Sequence, residues 1–247
     1  MRTNACVLLL IVTSSVSAQT EQTSNSLVPA DPSHLPRFEA TVSIRDLRIP
    51  PKAVKELQRS QNAMRSGDVR SSALHLEKAL KIYPQSLEAH NNLGSRYIEL
   101  QEYEKAAAEF QKAIDIDPRV PQPFNNLSVA LFLQQRYSDA ETAAGHALEL
   151  DPHNPTVRYM LGAILATERR NLDEAMQLLR QTEREFPDAR LLQAQILERR
   201  GALEEAKQEL RNYLAVPRVE KRQNVEHWLK RLSEGSAVGA ARPSLKP

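Results

Sequence analysis

The side chains able to carry chemistry are few and far apart. Six histidines occur, His34, His75, His90, His146, His153 and His227. A zinc hydrolase would set two of them one helical turn apart in an HExxH pattern, and covalent catalysis would pair one with a nucleophile and an acidic orienter. Neither arrangement is present. Cys6 is the one thiol, near the start of the chain, and the seven glycines are dispersed and form no phosphate-cradling loop. Acidic neighbours such as Asp115 and Asp117 fall at helix ends, where solvated charge is ordinary. The expectation is therefore a chain with no catalytic residues, no bound metal and no cofactor. Amides stand out instead, above all Asn92 and Asn126. An amide offers a donor and an acceptor together, which suits the holding of another main chain and not turnover.

Charge and composition narrow the partners further. Lys and Arg number 33 against 31 Asp and Glu, a net charge of +2, with the signs mixed along the chain. That balance leaves no electrostatic footprint for nucleic acid. Aromatics at 5% and only seven glycines suit helices better than sheets. The first residues have the layout of a secretory signal: Arg2, an apolar run over 5–12, then Val16, Ser17 and Ala18 before Gln19. Residues 1–18 are read as this signal, with cleavage near Ala18 and Gln19 and a periplasmic or secreted mature chain. Cys6 would leave with it.

The elements that position the amides follow from a long period. Prolines close similar helical stretches at Pro84, Pro118, Pro152 and Pro187, spaced by 34, 34 and 35 residues, with Asn171 as the added residue. Between them the second stretch places His90, Leu93, Gly94, Tyr97, Ala106 and Phe110. The third keeps Phe124, Leu127, Ser128, Leu131, Ala140 and Ala144. The fourth keeps Leu161, Gly162, Leu165, Ala175 and Leu179. This pattern resembles the tetratricopeptide repeat, with His90 in place of the usual first aromatic. The resemblance implies an all-α fold, a right-handed α-solenoid of about five helix-turn-helix repeats closed by a C-terminal helix. Each helix pair cannot cover its own apolar face, so stacking is obligatory.

The boundaries follow. Residues 19–40 lack periodicity and are read as a flexible tail. Residues 41–51 carry Val42, Ile44, Leu47 and Ile49 in an extended pattern stopped by Pro50 and Pro51, and are expected to cover the first repeat. The array occupies 52–217, divided as 52–86, 87–120, 121–154, 155–187 and 188–217. A helix over 218–233, with Val225, Trp228, Leu229 and Leu232 on one stripe, caps the last repeat, and 234–247 is read as disordered. The basic outer face of that helix is read as solvated and not as a membrane contact.

Repeats of this family present the first helix of each unit on a concave side. The resemblance thus implies a peptide-binding groove lined by Glu88, Asn91, Asn92 and Ser95, then Gln122, Asn125, Asn126, Val129, Phe132 and Leu133, then Tyr159 and Ala163. Asn92 and Asn126 each lie 26 residues before a closing proline and are expected at equivalent sites, in the manner of the asparagine ladders of this family. The family's clamp for chaperone C-termini needs cations and asparagines where this chain has Leu57, Gln61, Asn125 and Val129, so it is not expected. The partner is read as a protein or an extended peptide. The alternative is a structural subunit of an envelope complex that associates with its own copies.

Overall fold

The computed structural model describes residues 49–217, 219 and 221–240, and eleven helices lie among them. The expectations for 1–18, 19–40 and 41–48 lie outside the described residues. No strand occurs among the described residues, so the class is an all-α helical repeat fold. The helices are α1 (Pro51–Arg65), α2 (Val69–Ile82), α3 (Leu87–Glu99), α4 (Tyr103–Ile116), α5 (Pro121–Leu133), α6 (Tyr137–Leu150), α7 (Pro155–Glu168), α8 (Leu172–Arg180), α9 (Ala189–Arg199), α10 (Leu203–Ala215) and α11 (Arg222–Ala240). They form two compact units, the first ending at Leu150 and the second beginning at Asp151. Unit 1 thus holds three helix pairs, and unit 2 holds two pairs with α11.

Local sequence starts and stops each helix. Pro51, Pro121 and Pro155 stand at helix starts, where the missing N–H is no loss. Asp68, Ser86 and Asn154 cap α2, α3 and α7 by accepting from the N–H groups of Ser71, Ala89, and Thr156 with Val157. The turn inside a pair uses one left-handed residue in every pair but the fourth, where Arg169 and Asn171 both adopt it. Gly67 and Gly201 supply it at φ 77°, while Gln101 and Gln135 adopt it at φ 62° and 63° without glycine's freedom.

Each pair closes on two small side chains. Ser60 meets Ser72 through a buried 2.8 Å hydroxyl contact in the first pair. The corresponding couples are Gly94 with Ala106, Ser128 with Ala140, Gly162 with Ala175, and Ala194 with Ala206, all buried. At Gly94 a side-chain carbon would stand 2.5 Å from the Phe110 ring, so only glycine admits that ring. The buried apolar side chains include Leu76, Leu80, Leu93, Phe110 and Leu131 in unit 1, and Ile164, Leu165, Leu179, Ile196 and Leu210 in unit 2.

Two element ends differ from the sequence expectation. α8 stops at Arg180, shorter than the second helices of the other pairs, and residues 181–185 form turns. Thr182 there is buried and its hydroxyl donates to the carbonyl of Leu179. The adjoining Glu183 is held by Gln193 Nε2 at 2.8 Å and Arg190 at 2.6 Å, so tertiary contacts override local propensity. The last helix begins at Arg222 and continues to Ala240, beyond the expected end at 233 and into the stretch read as disordered. It is pinned to its unit by buried Val225 and Leu232, by the Trp228 Nε1–H donating to Glu198 at 2.8 Å, and by Lys221 on Asp188 at 2.6 Å. Among the described residues no helix is long and apolar enough to cross a membrane.

Candidate interaction site

In unit 1 the candidate side chains come from α3 and α5, the first helices of the second and third pairs, which pack on each other. Glu88 is exposed, and Asn92, Gln122 and Leu133 are half-buried. Asn91, Ser95, Asn125, Asn126, Val129 and Phe132 are buried. The expected open lining is thus reduced to a narrower accessible stripe, with the remaining side chains packed beneath it. Periodicity could not separate the two sets, because a stripe of small and amide residues can face water or a neighbouring helix equally well.

The asparagines divide their roles. Asn126 Nδ2 donates to Asn91 Oδ1 at 2.9 Å across α5 and α3, and a longer 3.5 Å contact joins Asn125 Nδ2 to Asn126 Oδ1. This buried trio holds the two helices together. The Asn125 side-chain oxygen Oδ1 is buried with no partner among the described residues. Asn126 reaches 35 residues back to Asn91. The same step from Asn92 leads to Leu57, which has no polar atom to meet. Asn92 and Asn126, equivalent by register, are therefore not equivalent in bonding. Asn92 keeps its amide free of hydrogen bonds among the described residues, and it lies one turn from Glu88 on the same face of α3.

The far end of α3 carries a buried ion pair. Arg96 Nη2 lies 3.1 Å from Glu99 Oε1, while Arg96 Nε has no partner. Burial holds the Arg96 guanidinium below its ordinary range and lifts the Glu99 carboxyl, and in both groups desolvation outweighs their mutual attraction. In unit 2, Tyr159 and Ala163 on α7 are buried. The Tyr159 ring packs on Phe186 with centroids 4.9 Å apart, and its hydroxyl has no partner among the described residues. Its burial pushes the phenol well above its ordinary range. Both residues serve the packing of unit 2 as they stand.

One pattern escaped sequence reasoning. At a fixed separation of 19 residues the first and second helices of a pair are joined by polar side chains: Glu56 with His75 at 2.7 Å, His90 with Glu109 at 2.6 Å, and Arg190 with Glu209 at 2.9 Å. The periodic search tracks apolar positions, and Glu56 and His90 read as departures from it. The spacing of 19 was the available signal. Beside His90 lies a cleft of about 580 Å³ walled by Leu80, Leu93, Tyr97 and Ile116. The Tyr97 hydroxyl donates to Glu77 at 2.9 Å at its edge. Among the described residues no group of three or more His, Cys, Asp or Glu is placed to hold a metal ion.

Comparison with known proteins agrees with this architecture. Two sequence models described as tetratricopeptide repeat match residues 57–121 and 131–196, together more than half of the chain. A thermophilic tetratricopeptide repeat protein of Thermus thermophilus is similar at 19% identity and a TM-score of 0.58, covering 74% of this chain and 99% of its own. A tetratricopeptide repeat protein of Parabacteroides merdae shares 17% identity at a TM-score of 0.63, covering 77% of each chain. YrrB, described as having an unusual peptide-binding site, shares 20% identity at a TM-score of 0.57, covering 72% of this chain and 92% of its own. At these identities the likeness is one of fold. No curated protein matches the chain. The proline period, the small-residue closure of every helix pair and the two matched segments together place this chain in the tetratricopeptide repeat family.

Proposed function

We propose that this chain is a non-enzymatic scaffold, exported to the cell envelope, that holds an extended polypeptide along α3 and α5, the first helices of its second and third repeats. Repeats of this family indicate a protein-interaction scaffold, and members are generally non-catalytic. The observation that carries the finer reading is Asn92. Its amide is half-buried on α3 and makes no hydrogen bond among the described residues, so donor and acceptor are both available to a main chain. Exposed Glu88 extends the same stripe, and the Asn91, Asn125 and Asn126 trio fixes α3 against α5 beneath it. The peptide-binding site ascribed to YrrB is an instance of the same use of this fold. Export rests on Arg2, the apolar run over 5–12 and the small residues before Gln19.

Capture of polypeptides from an envelope extract tests the reading. Asn92→Ala is expected to weaken capture about fivefold, the effect of one hydrogen bond of about 1 kcal/mol, with the fold intact by circular dichroism. Equal capture by the wild type and Asn92→Ala contradicts the assignment of Asn92. Intact mass of the protein recovered from cells tests export: a chain beginning at Gln19 is expected, and one retaining residues 1–18 in the cytoplasm contradicts it.

A further inference from the structure

We propose that the doubly protonated ring of His90 closes the junction of the first two repeats, and that loss of one ring proton with rising pH loosens it. The argument is one of donors and acceptors. His90 is buried, with Nδ1 2.6 Å from Glu109 Oε2 and Nε2 2.9 Å from the Pro84 carbonyl oxygen. Both neighbours can only accept. A neutral imidazole has one N–H, so one of those contacts would set lone pair against lone pair, whereas the doubly protonated ring donates to both. Pro84 belongs to the link between the first and second repeats, and Glu109 to the second helix of the second repeat. The protonated ring therefore ties three segments together.

Charged groups facing the same cleft are Glu77 and Lys81 from α2, with Glu109, Lys112 and Asp115 from α4. Burial works to raise the Glu109 carboxyl, yet hydrogen bonds from His90 and Lys112 hold it below its ordinary range, so it remains an anion where the ring is a cation. The pair is complete only between those two limits. It is lost upward when the ring gives up its proton, and downward when the carboxylate gains one. The contrast within the chain sharpens the point. At the same 19-residue separation the fifth repeat uses Arg190 with Glu209, a pair whose cation does not titrate. Loosening with rising pH therefore belongs to the N-terminal repeats.

Hydrogen exchange of the full chain read by mass spectrometry at pH 5.5 and 7.5, each corrected for the intrinsic rate, tests this segment by segment. Protection over 84–100 is expected to fall about tenfold on going to pH 7.5, while the reference stretch 187–200 stays level. H90Q, with a side chain that does not titrate, is expected to lose the response. E109Q, whose amide can donate to a neutral ring, is expected to lose it as well and decides the matter if H90Q does not fold. A flat wild-type response over 84–100, or a full response retained in a folded variant, overturns the proposal.

Discussion

Gly94 and Gly145 both lie inside helices, but the space around them differs. An added carbon at Gly94 meets the Phe110 ring at 2.5 Å, and that ring is wholly buried with nowhere to retreat. At Gly145 nothing stands within 4 Å. Alanine gains about 1 kcal/mol over glycine in a helix through backbone entropy alone. Gly145→Ala is thus expected to stabilise the protein by up to about 1 kcal/mol. Gly94→Ala meets overpacking of about 1 to 3 kcal/mol, which exceeds that gain, and should destabilise it. Urea denaturation of the two variants side by side reads both signs. The sequence marks Gly94 through its place in the repeat pattern, since the matching Ala106 and Phe110 lie at fixed distances from it. The bonding of the asparagines is less legible. Whether Asn92 or Asn126 finds a partner depends on the residue one repeat back, Leu57 in one case and Asn91 in the other, and on the stagger between helices that the period alone does not supply.

At the scale of elements, the same turn is made with different residues. Gln101 and Gln135 hold the left-handed conformation that Gly67 and Gly201 occupy freely. Replacing Gln101 by glycine relieves about 1–2 kcal/mol of local strain and gives back about 0.5–1 kcal/mol in chain entropy. A net gain of about 0.5 kcal/mol is expected in the urea midpoint. Loss of stability would show that Gln101 contributes a contact that outweighs its strain. Helix existence was plain from proline spacing and small-residue couples, because both are local consequences of how a pair closes. The ends of α8 and α11 were not. Glu183 leaves the helical path because Gln193 and Arg190 hold it, and those partners come from the next repeat. In the same way α11 is secured by Trp228 and Arg231 on Glu198, 30 and 33 residues away in sequence.

For the whole molecule, a repeat depends on its neighbours within its unit for cover, so the first and last repeats carry polar or added surfaces. α1 buries only Ala53 and Ser60, and its exposed positions include Lys52, Lys55 and Arg59. At the other end α11 supplies the cover. The second and third repeats of unit 1 present the stripe proposed to hold a polypeptide, and the most direct measurement is where a partner touches. A photoreactive residue placed at exposed Glu88 on α3, in cells expressing the full chain, is expected to crosslink a polypeptide partner, whereas the same residue at exposed Gln111 on α4 is not. Crosslinking from Gln111 with none from Glu88 would contradict the account, since the partner would then lie on the second helices and not on the first.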